Sequence, residues 1–452
     1  MSNVVERRLF RIILYPVQAF IQAEAFSGIL LIFITLIALL WANSAWSESY
    51  NEVWNTYFSI SLGDLSISKD LIHWINDGLM AVFFFVVGLE IKREVTTGEL
   101  SSLRRAAFPV MAAVGGMVVP ALFYYFMNAG EATVAGWGVP MATDIAFALG
   151  ILSLLGKRVP LSLKLFLVAL AIVDDIGAVL VIAVFYTADV NFLSLWVGFG
   201  IFGLLLVISS YNLRVLGVYI LLGLIMWVAF LLSGVHATVA GILLALTIPS
   251  RSGINQEEFI TSTDNVLGEL HSSYLAHTYP AVKSEAADQE NDLQAAVYTI
   301  EANCKKALSP LGRLEHTLHP WVAFAIMPIF ALANAGIFVN ASLIYDFFNP
   351  ATAGIVYGLV LGKPIGIVLF SVLASVTGMG IKPASITWRH IIGVGFLSGI
   401  GFTMSIFIAN LAFEGTGILA TAKLAILSAS ILAALAGYLL LFKAKPVVAV
   451  KP

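Results

Sequence analysis

The sequence predicts an all-α polytopic membrane protein, and its composition and patterning support this fold class. Of the 452 residues, 60% are apolar and only 11% are charged, whereas about 25% of the residues in soluble proteins are charged. Apolar runs of about 20 residues, long enough to cross a bilayer as helices, recur along the chain. They lack the strict alternation of membrane β-strands. The composition therefore excludes a soluble enzyme and a disordered protein as the main body of the chain.

Net charge and cysteine content exclude further classes of protein. The formal net charge is −3, so the chain has no basic field for binding DNA or RNA. The single cysteine, Cys304, excludes a disulfide framework and a cysteine-rich metal site.

Twelve apolar segments are predicted to span the membrane as helices. They cover residues 25–43, 71–91, 106–126, 139–155, 164–186, 193–210, 215–233, 236–249, 318–338, 351–375, 390–413 and 418–442. The eighth of these segments is short for a complete span. The first is not followed by a small-residue cleavage site, so we expect no cleavable signal peptide.

Basic residues indicate the orientation of the segments, because Lys and Arg accumulate on the cytoplasmic side of a membrane. With a cytoplasmic N-terminus, the inner connections carry 16 basic residues, segment 250–317 not counted, and the outer ends carry two, Lys69 and Lys423. The inner residues are Arg7, Arg8, Arg11, Lys92, Arg93, Arg104, Arg105, Lys157, Arg158, Lys164, Arg214, Lys382, Arg389, Lys443, Lys445 and Lys451. We therefore expect an even number of spans and cytoplasmic termini.

A short outer segment and a longer inner one are predicted to lie outside the membrane. Residues 54–68 alternate in polarity around Gly63 and Asp64, a pair that favours a two-residue turn. The outer segment is thus predicted to be a β-hairpin, with a plain surface loop as the alternative.

Residues 250–317 have the composition of a soluble segment, and their apolar residues recur at helical spacing. Leu293, Val297, Ile300 and Cys304 share one helical face, and Phe259, Val266 and Leu270 indicate a second helix, with Pro280 between the two. We therefore expect spans 1–8 in residues 1–249, a helical cytoplasmic insertion in residues 250–317, and spans 9–12 in residues 318–452.

Ionisable residues inside the spans give the clearest indication of function, because a charge near the bilayer midplane costs several kcal/mol. They are Asp77, Glu90, Asp144, Asp174, Asp175 and Lys363. Two adjacent carboxylates in a low dielectric cannot both stay charged without a cation nearby. The pair Asp174 and Asp175 would therefore bind either protons or a hard cation such as Na⁺, and that competition is a mechanism of exchange. The alternative is a structural ion pair with Lys363.

Spans 4 and 11 are predicted to be interrupted helices that cross. Pro140, preceded by Gly138, weakens the helix ahead of Asp144. The eleventh span contains four glycines, Gly393, Gly395, Gly399 and Gly401, shortly before Thr403. Interrupted helices in matching positions are typical of inverted-repeat transporters, here with spans 3–5 and 10–12 as the halves. Asp144 would suit the exposed helix N-termini and Lys363 the C-termini. The alternative is that the glycines only permit close helix packing.

Motifs around these residues resemble the NhaA-type sodium–proton antiporters of bacterial inner membranes. They occupy residues 142–150 (ATDIAFALG), 169–177 (ALAIVDDIG), 362–366 (GKPIG) and 399–407 (GIGFTMSIF), together with residues 74–77, 87–94, 233–238 and 314–321. The resemblance extends from about residue 24 to the end of the twelfth segment. This family is itself a standard example of inverted-repeat architecture, so the two arguments are not independent.

The resemblance implies a secondary antiporter that exchanges cytoplasmic sodium or lithium for external protons, is electrogenic, is activated at alkaline pH and lies in the inner membrane. It implies Asp175 as the main cation ligand, with Thr143 and Asp144 beside the cation path. Asp174 is then either the proton carrier or the partner of Lys363. Gly399, Gly401 and Thr403 form the break in the eleventh span. We expect no cofactor and no metal ion other than the transported sodium.

The resemblance also implies a pH sensor and a dimer. The sensor is a cytoplasmic cluster of Glu90, Arg93, Glu94, Glu315, His316 and His319, in which histidine titrates in the appropriate range. The alternative for the two histidines is interfacial capping. The dimer is a homodimer formed through residues 54–68. Residues 250–312 depart from the short connection usual in the family and carry no motif.

Other functions are compatible with buried acidic residues. A sodium-coupled solute symporter shares the inverted-repeat architecture, and an ion channel also conducts cations. An intramembrane aspartyl protease needs two aspartates from different helices, typically one in Gly-x-Gly-Asp, which this sequence lacks.

Overall fold

The computed structural model describes residues 26–63, 65–187, 190–278 and 286–444. Its helices are α1 (Phe26–Ala42), α2 (Ser47–Trp54), α3 (Leu71–Thr96), α4 (Leu103–Met127), α5 (Ile145–Leu154), α6 (Leu161–Phe185), α7 (Phe192–Ser210), α8 (Leu216–Ser233), α9 (Thr238–Thr247), α10 (Gln256–Thr278), α11 (Ala286–Ala307), α12 (Pro310–Asn334), α13 (Ala341–Asp346), α14 (Pro350–Val376), α15 (Trp388–Ser398), α16 (Phe402–Ala412) and α17 (Ile418–Phe442). Short 3₁₀ helices occupy Glu99–Ser101, Ala132–Met141 and Gly156–Arg158. The terminal basic residues Arg7, Arg8, Arg11, Lys445 and Lys451 lie outside the described residues.

Each of the twelve predicted apolar segments contains a helix or a bent pair of helices. Among the described residues, eight helices are long and apolar enough to cross a membrane, and up to eleven spans result if each bent pair is one span. The helix α9, in the predicted eighth segment, is shorter. The all-α polytopic fold class is therefore confirmed, whereas the number twelve stays a prediction.

Spans 4 and 11 are interrupted where the sequence predicts. The 3₁₀ helix Ala132–Met141 meets α5 at 43°, and α15 meets α16 at 45°. The two breaks touch, because the amide of Asp144 donates to the carbonyl of Ile400 at 2.7 Å. A backbone group at each break thus finds its hydrogen-bond partner in the other break rather than in its own helix.

Three spanning helices contain a π-helical turn that the sequence did not predict. The turns are Trp74–Leu79 in α3, Val322–Ile326 in α12 and Gly358–Gly362 in α14. π-Helical turns are rare and occur frequently at functional sites. Two of them adjoin intramembrane charges, since Asp77 lies within the first and Lys363 follows the third.

Helices α4 and α14 pack closely through glycine. A Cβ added to Gly115 would overlap the carbonyl oxygen of Gly366, and a Cβ on Gly366 would overlap the carbonyl oxygen of Gly115. Small residues allow this backbone approach in membrane helices. The contact fixes the turn of α14 that carries Lys363, three residues before Gly366.

The predicted outer hairpin is present with shifted bounds. Strands β1 (Tyr57–Leu62) and β2 (Leu65–Asp70) pair antiparallel, with Leu62 opposite Leu65. The two-residue connection matches the prediction, although Asp64 lies outside the described residues. Residues 54–56 are not part of the strand, because Trp54 ends the unpredicted helix α2, and β2 continues beyond the predicted end at residue 68.

The insertion after α9 contains two helices, α10 and α11, which pack against each other. Pro280, predicted to separate them, lies outside the described residues. The following helix, α12, begins at Pro310, so residues 310–317 are part of a spanning helix rather than of the insertion. The hydroxyl of Ser309 accepts from the amide of Gly312 at 3.1 Å, and this cap with proline in the first turn explains the earlier start.

Candidate functional site

Asp174 and Lys363 form a buried ion pair between α6 and α14. The Lys363 Nζ lies 2.9 Å from the Asp174 Oδ2, and both side chains are fully buried. Lys363 also donates to the carbonyl of Met141, the last residue of the 3₁₀ helix. The Oδ1 atom of Asp174 is buried and has no hydrogen-bond partner. The lysine therefore compensates one carboxylate and one helix C-terminus, and leaves an acceptor oxygen unused.

Asp175 occupies a different environment from its neighbour. It lines a cavity of about 50 Å³ whose wall also includes Thr143, Asp144 and Thr403. Among the described residues its carboxylate has no ion pair. Successive helical residues point about 100° apart, so α6 directs Asp174 towards Lys363 and Asp175 towards the cavity. We name this space the inner cavity.

Asp144 joins the two interrupted spans. Its Oδ1 accepts from the amide of Phe147 at 3.1 Å and so caps α5. Its Oδ2 accepts from the amide of Thr403 at 3.2 Å and from the hydroxyl of the same residue. One carboxylate thus interacts with the positive N-terminal ends of both α5 and α16, as the sequence predicts.

Thr143 lies between the break in the fourth span and the aspartate pair. Its hydroxyl is within hydrogen-bond distance of the Asp174 Oδ2, at 2.7 Å, and of the carbonyl of Ser398, at 3.0 Å. One hydroxyl hydrogen serves only one of these acceptors at a time. Thr143 therefore connects the protonation of Asp174 with the C-terminal end of α15.

Gly399 and Gly401 leave no room for side chains at the break in the eleventh span. A Cβ on Gly399 would overlap the carbonyl oxygen of Leu359, and a Cβ on Gly401 would overlap the hydroxyl of Ser405. The glycines at this interruption therefore also permit close approach of neighbouring atoms.

Five of the six residues of the predicted pH sensor lie near one another. Arg93 pairs with Glu315 and, at 3.2 Å, with Glu94, and Glu315 is only 6% exposed. Glu90 and His319 both line the inner cavity that contains Asp175.

His316 differs from the other residues of the predicted sensor. Its side chain is exposed, and the structure does not bring it into the cluster. On α12, residues 315 and 319 share a face, whereas residue 316 points about 100° away.

A larger cavity of about 690 Å³ lies at the other ends of α3, α12 and α16. We name it the outer cavity; its wall includes Lys69, His73, Asn76, Asp77, Tyr186, His236, Asn334, Asn410, Glu414 and Lys423. The His236 Nε2 lies 3.6 Å from the Asp77 Oδ1, so that intramembrane charge faces this cavity rather than the inner one.

Sequence reasoning missed a chain of asparagines at the outer cavity. The amide of Asn410 donates to Asn334 at 2.7 Å, and Asn334 donates to Asn76 at 2.9 Å. The chain connects α16, α12 and α3. Each of these asparagines places an uncharged amide inside an apolar span. Considering only the ionisable residues overlooks them.

The chain is similar to known proteins over most of its length. The family model described as Na+/H+ antiporter 1 matches residues 18–441. A protein of Oleidesulfovibrio alaskensis named Na(+)/H(+) antiporter NhaA is 50% identical over 429 residues, which represent 95% of this chain and 94% of that protein. Proteins with the same name from Koribacter versatilis and Wolinella succinogenes are each 46% identical; the alignments represent 96% and 93% of this chain, and 92% and 91% of those proteins.

Proposed function

The chain belongs to the Na+/H+ antiporter 1 family and is a sodium–proton antiporter; we propose that Asp175 and the Asp174–Lys363 pair form the site at which sodium and protons compete. The relatives' names describe transporters, and nothing in the comparisons supports the solute symporter or the intramembrane protease.

The uncompensated carboxylate of Asp175, beside a compensated Asp174, is the observation that supports this site. A carboxylate in a low dielectric is stable when it binds a proton or a hard cation. The inner cavity, at about 50 Å³, has room for only a few water-sized particles. Sodium binding to Asp175 therefore requires proton release, and a returning proton displaces sodium.

The pair Asp174 and Lys363 supplies a second exchangeable proton. Two assignments are compatible with the contacts: the proton resides on Lys363 and leaves when the ion pair opens, or it resides on Asp174 after the pair opens. In both, Thr143 and the unused Oδ1 of Asp174 offer oxygen atoms near the cation path, and hard cations prefer oxygen ligands.

Two protons per sodium make the exchange electrogenic. A negative interior then drives sodium export by about 2.3 kcal/mol per net charge per 100 mV. The orientation rests on the 16 inner and two outer basic residues. Under it, the inner cavity faces the cytoplasm, the outer cavity faces the outside, and both termini are cytoplasmic in an inner membrane.

Access to the site alternates through movement of the two interrupted spans. We assign spans 3–5 and 10–12 to the moving inverted repeats, and α9 to a shortened eighth span in a set of twelve. The joint hydrogen bonds of Asp144 keep the two breaks together, so that they move as one body.

Replacing Asp175 tests the site. In proteoliposomes, Asp175→Asn is expected to abolish sodium-driven proton flux, since the amide neither titrates nor carries charge. Asp264→Asn, the same change at an exposed position of α10, is the matched control and is expected to retain wild-type flux. Normal flux in Asp175→Asn would reject the site; no flux in the wild type would reject the function in these conditions.

Alkaline activation is assigned to the cluster around Arg93. Its ion pairs connect α3 with α12, and His319 shares the inner cavity with Glu90. Deprotonation of His319 removes a positive charge from the cytoplasmic entrance and so favours cation entry. A pH profile of flux that is unchanged in His319→Gln would contradict this assignment.

A further inference from the structure

The outer cavity contains a lysine that the exchange mechanism does not use. Lys423 lies on α17, is partly buried and lines this cavity. It makes no hydrogen bond or ion pair with any residue in the part of the chain that the structure describes. It is also one of only two basic residues that the sequence places at outer ends, against the usual preference for the cytoplasmic side.

Histidines lie beside the two carboxylates that face this cavity, and each contact is an ion pair only when the histidine is protonated. His73 lies 3.4 Å from Glu414, and His236 lies 3.6 Å from Asp77. Tyr186 donates to the carbonyl of Ala135, and Lys69 is exposed. Lys423 thus has no ion-pair partner among the described residues, and the low-dielectric walls focus its positive field, which opposes that of Asp77 and Glu414, into the cavity.

We propose that Lys423 sets the electrostatic potential of the outer cavity and thereby weakens sodium binding from the outside. This inference rests on the proposed orientation of the transporter. Its positive charge weakens the attraction of the two carboxylates for cations at the exit, which favours release of exported sodium and opposes its return. Lys423 is therefore a specificity-determining residue for the sidedness of exchange, without touching the bound ion.

The same potential acts on protons, and this gives the proposal a distinctive pH signature. At mildly alkaline pH Lys423 still carries charge and the outward-facing site holds few protons, so the potential changes the half-saturating sodium concentration directly. At acidic pH sodium must displace one or two protons, so the electrostatic gain from removing Lys423 cancels or reverses for that step. A merely structural role of Lys423 has no reason to change with pH in this way.

Two vesicle preparations test the proposal. Right-side-out vesicles expose the outer face and everted vesicles the cytoplasmic face, and sodium-dependent proton movement gives the half-saturating sodium concentration on each. At mildly alkaline pH, where Lys423 still carries charge, Lys423→Gln is expected to lower the outer value about two- to tenfold and to leave the cytoplasmic value unchanged. Lys423→Arg retains the charge and is expected to match the wild type. Lys306→Gln, the same change at an exposed lysine of α11 that lines neither cavity, is the matched control.

Chemical modification separates charge from shape. Cys304 is the only cysteine and is exposed, so Cys304→Ser gives a background for labelling. Lys423→Cys in this background is treated from the outside with an impermeant methanethiosulfonate that attaches either a trimethylammonium or a sulfonate group. The cationic group is expected to restore the wild-type outer sodium affinity, whereas the anionic group lowers the half-saturating concentration further.

Several results would overturn the proposal. They are an unchanged outer value in Lys423→Gln, an equal change on both faces, a decrease of the outer value that persists at acidic pH, or identical effects of the two reagents. Loss of exchange in the wild type, or full exchange in Asp175→Asn, would instead contradict the proposed function. A change confined to the cytoplasmic face would reject both the inference and the orientation.

Discussion

Asp174 and Asp175 show how one residue step along a helix separates two roles. Asp174 is paired with Lys363, whereas Asp175 faces the inner cavity. A buried ion pair is weak evidence for stability by itself, because desolvation of both groups offsets their attraction. The fully buried position of both partners in the middle of apolar spans therefore favours a functional reason for the pair over a purely structural one.

Removing the lysine tests whether the Asp174–Lys363 pair is functional or purely structural. Lys363→Met leaves the buried Asp174 without a partner and is expected to lower the free energy of unfolding by about 3–5 kcal/mol. The double variant Asp174→Asn/Lys363→Met removes both groups and is expected to recover most of this loss. Thermal unfolding in detergent measures the effect, with Asp174→Asn as the second single variant of the cycle.

Transport by the double variant tests whether the pair carries the second exchanged proton. If the pair carries the second proton, the variant exchanges fewer protons per sodium and loses its dependence on membrane potential. A stable double variant whose flux still responds to the potential as in the wild type would show that the pair is only structural.

At the scale of the elements, the interrupted helices depend on contacts between segments. The Asp144 carboxylate caps α5 and accepts from the amide of Thr403 near the start of α16. Gly399 allows the break to approach the backbone of α14 at Leu359. Each interruption is thus stabilised by its neighbour, and the pair forms a single unit around the inner cavity.

A methyl group at the break tests this dependence. Gly399→Ala is expected to destabilise the protein by about 1–3 kcal/mol, because the new Cβ forces the backbone away from Leu359. Sodium-driven flux is expected to fall with it, since the displaced break carries the partners of Asp144. Gly200→Ala on α7 is the matched control: nothing lies within 4 Å of its added Cβ. Equal melting temperatures for the two variants would refute the close-packing argument.

The sequence permits prediction of those features whose signal is local. Long apolar runs predict the spans, Pro140 and the glycines predict the breaks, and alternation around Gly63 predicts the hairpin. The π-helical turns have no comparable local signature, because they arise where tertiary packing shifts the hydrogen-bond register. Helical spacing explains why His316 is exposed. The sequence motif places His316 next to Glu315, but a motif alone does not show which of its residues share a helical face.

At the scale of the whole molecule, the two cavities adjoin opposite ends of the same interrupted span. Helix α16 contacts Asp144 through Thr403, and two turns later its Asn410 joins the asparagine chain at the outer cavity. Any movement that opens the site outwards must rearrange that chain. The residues assigned to the ion site contact one another within a single copy of the chain.

The outer hairpin nevertheless indicates association of two copies. Its serines, Ser59, Ser61, Ser66 and Ser68, face one another across the strands. The opposite face exposes Phe58 by 51% and Ile60 by 50%. A two-stranded hairpin is marginally stable in water, and its free edges favour pairing with another strand. We therefore expect a homodimer formed through the apolar hairpin face.

Charge substitutions on the two hairpin faces test this dimer. Ile60→Asp introduces a charge into the apolar face and is expected to convert the dimer to monomer, because burying an unpaired carboxylate in the interface is unfavourable. Ser61→Asp makes the same change on the serine face and is expected to remain dimeric. Light scattering in detergent gives the mass of each variant, and proteoliposome flux is expected to persist in the monomer because Asp175 and Lys363 come from one chain. A dimeric Ile60→Asp protein, or dissociation by both substitutions alike, would exclude the apolar face as the contact.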